Sequence, residues 1–228
     1  MSSNPTKTPY GKDQFRTFGR AKGRTLTASQ SAVMDEYWPR FSLQPGDTLP
    51  PAPLWLEIGY GMGSHVLHLA RGHPNVSIIG AEPFLNGTAK VVRGAAEDSL
   101  DNLRLFQGDV RKLLIEMPDA CLDRAYILFP DPWPKSRHNK RRLIRTAFIE
   151  ELARVIAPGG VLTFASDIPD YVDWALSRFR AHDRKTGAGF DWDGADPLIP
   201  PDGWPGTKYE AKAIREGRKP RFFELVRR

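Results

Sequence analysis

The chain has 228 residues, 40% of them apolar, with 33 Lys and Arg against 27 Asp and Glu for a formal charge of +6. That apolar share supports a substantial core and excludes general disorder. No run reaches the ~18 apolar residues of a membrane helix, and the single Cys121 excludes an internal disulfide or a multi-cysteine zinc site. Excess positive charge favours a polyanionic partner, and MSSNPTKTPYGKDQF lacks the apolar stretch of a signal peptide, so the expected location is cytoplasmic.

Residues 1–25 are polar and basic, with Lys12, Arg16, Arg20, Lys22 and Arg24 interrupted by glycines, and read as a mobile arm. Residues 26–228 read as one domain: a helix from Thr27 to Trp38 and the Pro-rich connector LQPGDTLPPAP occupy 26–52, and a core occupies 53–228. There, short apolar strands alternate with amphipathic helices. The expected strands are LWLEI, VSIIGAE, LRLFQGD, CLDRAYILF and GVLTFASD. The expected helices run through His65–Ala70, Thr88–Leu100, Val110–Met117, Arg141–Ile156 and Tyr171–His182. This rhythm predicts βαβ units and a parallel sheet with helices on both faces. GFDWD and RFFELVRR add two strands, so the expected fold is α/β with a mostly parallel seven-stranded sheet.

Ligands of such sheets bind at the carboxyl ends of the strands. Glu57, Glu82, Asp109, Asp131 and Asp167 each stand in or beside one of the first five ends. EIGYGMG puts Gly59, Gly61 and Gly63 after the first strand, one residue short of G-x-G-x-x-G, and places Glu57 where a pyrophosphate would be repelled. Glu82 stands where an acid takes ribose hydroxyls. Asp109 has two readings, an acceptor for an adenine amino group or the N-cap of the next helix. A nucleoside with a cationic amino-acid tail suits these acids, which describes S-adenosylmethionine. His65 and His68 lie three apart with no evident third ligand, so no metal is expected.

FPDPWPKSRHNKRR, residues 129–142, follows the fourth strand and carries Asp131, Trp133 and then Lys135, Arg137, Lys140, Arg141 and Arg142. With a helix opening at Arg141, cations would meet the positive end of its dipole, an arrangement that a bound phosphate would reverse. Nucleic acid is therefore the expected partner, contacted by this cluster and by Arg20 and Arg24 of the arm. Trp133 reads equally as core or as a platform for a base.

EIGYGMG, GAEP, NLRLFQGDVRKLL, FPDPWPKSRHNKRRL, SDIPDYVDWAL and TKYEAKAIREG together resemble the bacterial tRNA (guanine-N7-)-methyltransferases, from about Arg16 to the last strand. The resemblance implies a Rossmann-like class I methyltransferase fold, S-adenosylmethionine as methyl donor with S-adenosylhomocysteine as product, and methylation of tRNA at position 46 of the variable loop. It implies that Glu57, Glu82, Asp109 and Asp131 bind the cofactor and that Asp131 is also catalytic. Lys135, Asp167 and Thr207-Lys208-Tyr209-Glu210 would contact the substrate. The last four also have the spacing of a capping box. PFLNGTAK after Glu82 departs from the family loop, and Asn139 replaces a common second His. The competing readings are an amino methyltransferase acting on an exocyclic base nitrogen, from the likeness of Asp-Pro-Trp to a D-P-P-aromatic loop, and an RNA-binding protein with a non-catalytic version of the fold. An NAD-dependent oxidoreductase is disfavoured by the early glycine and by Glu57. Monomer and homodimer both remain open.

Overall fold

The computed structural model describes residue 21 and residues 23–228. Most of the expected basic arm, including Lys12, Arg16, Arg20 and Lys22, lies outside the described residues.

Strands β1 (Leu54–Ile58), β2 (Ser77–Ala81), β3 (Leu103–Phe106), β4 (Leu122–Leu128), β5 (Ile156–Ser166), β6 (Phe190–Trp192) and β7 (Arg221–Arg227) form one sheet in the order β3-β2-β1-β4-β5-β7-β6. The first five are mutually parallel, and β7 runs antiparallel between β5 and β6. Because helices cover both faces, successive residues are buried in the carboxyl-terminal parts of β1 (Leu56, Glu57, Ile58) and β4 (Ala125, Tyr126, Ile127, Leu128), which is why these stretches read as near-continuous apolar runs rather than alternating patterns. Ile78 and Ile79 show the division: one packs with Phe41, Val66 and Val91 from α1 (Ala28–Phe41), α2 (Ser64–Gly72) and α3 (Leu85–Glu97), the other with Leu114, Phe148 and Tyr171 from α4 (Val110–Leu114), α5 (Thr146–Val155) and α6 (Pro169–Thr186). Chain order reverses between β1 and β4, and that reversal opens a crevice above their carboxyl ends.

Most helix boundaries follow local chemistry. Thr27 and Gln30 close a capping box on α1, Asp109 caps α4, and Pro169 opens α6 while left-handed Gly187 ends it. The helix expected from Arg141 is a correction. Ser136–Arg141 form a 3-10 turn, and α5 opens only at Thr146. Leu143 and Ile144 read as part of the apolar stripe, yet the Ile144 carbonyl accepts from Trp174 Nε1 at 2.8 Å and its amide meets the Tyr171 hydroxyl at 3.4 Å. These two bonds to α6 hold the segment extended. Lys140 and Arg141 therefore end a 3-10 turn, where positive charge is favourable, and the dipole penalty expected for them is absent.

Candidate active site

The chain leaves β1 through Gly59, Gly61 and Gly63, which all adopt left-handed backbone with φ of 79°, 55° and 82°. Gly61 donates its amide to Glu82 Oε2 at 2.8 Å, and the other Glu82 oxygen accepts from the Phe84 amide at 2.9 Å. One carboxylate thus ties the turn after β1 to the turn after β2. Gly63 serves the packing instead, since a Cβ there would lie 2.0 Å from Val91 Cγ2, and its absence lets α2 sit against α3.

A cavity of about 490 Å³ fills the crevice. Gly59 and Gly61 line it from the first turn, Glu82 from the second, Asp109 from the third, and Phe129, Asp131 and Trp133 from the fourth. Ile58 and Leu128 supply an apolar floor, while Lys208 and Tyr209 border it from α7 (Lys208–Arg215). The structure therefore brings together residues that the sequence scatters over 150 positions.

The strand-end acids differ in what they touch. Glu57 is buried at 3% exposure, with Oε2 2.9 Å from His65 Nδ1, so His65 serves this pair. Asp109 accepts the Arg111 amide at 3.1 Å and grips its guanidinium. Asp167 is 2.5 Å from Arg218 Nε and lies outside the cavity. Glu82 binds the two amides just described and keeps lone pairs toward the cavity. Asp131 differs from all of them: among the described residues no protein donor reaches its carboxylate.

Burial raises the Asp131 carboxyl above its ordinary range even though the side chain faces the solvent of the cavity, because protein atoms crowd its other sides. Burial also raises Glu82; the amides of Phe84 and Gly61 oppose this, and the charges of Asp131 and Glu57 add to it. Lys208 is lowered, first by burial and then by Lys90, while Glu82 pulls the other way.

Phe129 and Trp133 flank Asp131, and both hold positive φ, 51° and 45°. Such backbone costs on the order of 1–3 kcal/mol per non-glycine residue, and at two positions around one carboxylate it fixes where that group points. Trp133 belongs to neither core cluster and forms cavity wall, with the Arg141 guanidinium 4.8 Å from its ring and the His138 ring edge-on at 5.7 Å. Its reading as core is overturned.

The basic cluster divides. Lys140 and Arg141 line the cavity, whereas Lys135 and Arg137 are exposed outside it, as is Arg24. Arg142 is corrected: at 2% exposure it donates to the Pro132 carbonyl at 2.8 Å, pairs with Asp170, and stacks on Tyr171 and Trp174. That side chain acts as an internal strut, and its edge borders the cavity beside Lys140 and Arg141. Thr207 and Glu210 form the capping box of α7, and Glu210 Oε2 also accepts from Trp204 Nε1 at 2.6 Å. Both hold α7, and the helix presents Lys208 and Tyr209; Thr207 also lines a small hollow beside Glu57. Arg111 and Phe129 line the cavity without having been singled out by sequence. Phe129 opens FPDPWPKSRHNKRR and Arg111 lies within NLRLFQGDVRKLL, but neither side chain is assigned a role there. Among the described residues no cluster of three His, Cys, Asp or Glu has a geometry that could hold a metal ion.

A mostly parallel sheet ending in an antiparallel strand, with a glycine turn and a ribose-position acid at its switch point, defines the Rossmann-like methyltransferase class. Residues 51–222 match a family model described as "Putative methyltransferase". A solved antibiotic-related methyltransferase superposes with a TM-score of 0.51 at 17% identity, covering 90% of this chain and 96% of its own, a likeness of fold. The tRNA (guanine-N(7)-)-methyltransferase of Chelativorans sp. (strain BNC1) is 42% identical over 226 residues, covering 92% of this chain and 94% of the relative. That of Caulobacter vibrioides (strain NA1000 / CB15N) is 42% identical over 225 residues, covering 96% and 97%. The chain belongs to the tRNA (guanine-N(7)-)-methyltransferase family.

Proposed function

We propose that this protein transfers the methyl group of S-adenosylmethionine to N7 of a variable-loop guanine in tRNA, leaving 7-methylguanosine and S-adenosylhomocysteine. The observation that carries this reading is the Asp131 carboxylate, held in the crevice by two strained neighbours and left without a protein donor. The cavity fits the methyl donor: Ile58 and Leu128 suit an adenine face, and the Glu82 lone pairs suit ribose hydroxyls. Glu57, one residue before the end of β1, adds negative potential for a cationic tail, and Asp109 with Arg111 closes the third side. When bound, the cofactor supplies an electrophilic methyl group on a sulfonium.

Guanine N7 has an in-plane lone pair and no proton to lose, so the protein must align and stabilise rather than abstract. Asp131 accepts a guanine N–H or faces the ring as it becomes cationic, which lowers the barrier electrostatically. Trp133, braced by Arg141, is the wall against which the base packs. Lys208 and Tyr209 close the opposite side from α7. Lys135 and Arg137 meet the RNA backbone on the rim, with Arg20 and Arg24 upstream. Asp167 acts through Arg218, and Thr207 and Glu210 act through the position of α7.

The test is nucleoside mass spectrometry of tRNA lacking 7-methylguanosine after incubation with the protein and methyl-labelled cofactor. Label in 7-methylguanosine is expected. Label confined to N6-methyladenosine or N2-methylguanosine would refute the reading in favour of an exocyclic amine, and no binding of the cofactor by calorimetry would refute any methyl transfer.

A further inference from the structure

Beside the crevice lies a second cavity, also of about 490 Å³, which the proposed reaction leaves unused. Arg111, Lys140, Leu143 and Arg145 line both, so the two share a wall. The far side of the second is formed by Asn139, Trp174 and Arg178 and by the first turn of α5.

Its electrostatics are one-sided. Lys140, Arg145 and Arg178 find no carboxylate partner among the described residues. Arg145 donates only to the Lys140 carbonyl, at 3.3 Å, and Arg178 lies 4.3 Å from the Trp174 ring. The ring is already flanked by Arg142 at 5.1 Å, so it braces cations rather than offering a face to a base. The first turn of α5 contains no acid, has no side-chain cap, and carries Arg145 itself at the N-cap. A cation there opposes the helix dipole unless an anion lies between them. Asn139 Oδ1 is buried with no donor, an acceptor of the kind a ribose hydroxyl satisfies.

We propose that this second basin holds the phosphodiester next to the target guanosine, with Arg145, Arg178 and Lys140 on the phosphate. The inference rests on the proposed reaction for the identity of the strand. A base in the crevice must be joined to its neighbours across the shared wall, and the basin supplies cations where the backbone would cross.

The test uses the full-length protein and the double variant Arg145→Gln/Arg178→Gln, with Arg180→Gln as a control on an exposed residue of α6 that lines neither cavity. tRNA affinity is measured across a salt series, and cofactor affinity by calorimetry. The double variant is expected to bind tRNA roughly tenfold more weakly at low salt, with the slope of log K against log salt shallower by roughly one. The melting temperature of the double variant and the cofactor affinity of Arg178→Gln alone, a residue that lines only the second cavity, should stay as in the wild type, and Arg145→Lys/Arg178→Lys should restore binding. If the double variant does not fold, Arg145→Gln alone is read, its side chain being exposed at the helix end. A slope and affinity equal to those of the wild type would overturn the proposal. Should the wild type form no 7-methylguanosine while the variant still shows the shallower slope, the reaction fails and the basin stands. Should it form 7-methylguanosine while the slope is unchanged, the basin alone fails.

Discussion

Asp131 is the residue on which fold stability and chemistry pull in opposite directions. Burial raises its pKa, so the ionised form needed to face a cationic ring costs folding free energy at every pH above its unfolded value, and that cost vanishes below it. Asp131→Asn removes the cost with the charge. Its melting temperature at pH 7.5 is expected to equal or exceed that of the wild type, while single-turnover methylation falls by at least about 100-fold, the usual scale for losing one electrostatic stabiliser. A variant that melts lower and still methylates would remove Asp131 from both roles. The same shift places the acidic limb of kcat/KM. Activity should fall as pH drops through a value above the ordinary carboxylate range, because protonation neutralises the raised carboxyl, and a profile still flat through pH 4 would contradict this. Five acids at five strand ends were legible because each is near its strand in sequence. Their engagement was not: Glu57 meets His65, Asp167 meets Arg218, Asp109 holds Arg111, Glu82 divides itself between two amides and the cavity, and Asp131 alone of the five meets no protein donor among the described residues. The first two pairings are set by the way α2 and the segment before β7 return to the sheet, which no local spacing encodes.

At the scale of elements, α5 shows why a helical pattern can begin too early. Leu143, Ile144, Ala147 and Phe148 have helical spacing, but α6 claims both backbone groups of Ile144 through Trp174 and Tyr171. Arg142 completes that lock by joining the Pro132 carbonyl to Asp170 from within the core. Arg142→Ala should therefore lower unfolding free energy by about 2–4 kcal/mol, through an unmet carbonyl and lost packing around Tyr171 and Trp174. Asp170→Asn should cost under about 1 kcal/mol, since Asp170 is exposed and solvent replaces its share of the pair. Urea denaturation with an unchanged m-value separates the two. An Arg142→Ala protein as stable as the wild type, with weakened tRNA binding instead, would return Arg142 to the RNA surface. The cationic composition of residues 135–142 was legible, but its partition was not: the exposed side chains, the cavity wall and the buried strut differ by where a 3-10 turn happens to end. The mostly parallel sheet and its helix layers were legible from the alternation of strands and helices, whereas the strand order and the crevice between β1 and β4 came only with the structure, because no local pattern encodes which strands become neighbours.

For the whole molecule, the +6 charge and the acids at the strand ends divide the labour of binding. Net charge attracts any polyanion, and its pull is screened over about 8–10 Å at physiological salt. The carboxylates act over shorter distances inside a cavity walled by Ile58, Leu128 and Trp133, where screening ions enter less readily. The two steps should therefore respond differently to salt. Between 50 and 300 mM potassium chloride, kcat/KM for tRNA is expected to fall by well over tenfold, because each phosphate contact contributes a slope of roughly 0.7–0.9. Over the same range kcat at saturating tRNA should change less than about twofold, because the bound guanine and Asp131 are already in place when the methyl moves. Steady-state kinetics on one purified tRNA species makes the comparison directly. A parallel fall in both constants would mean that surface charge still acts in the transition state, so that Lys140 and Arg141 stabilise the reacting base as well as the backbone beside it.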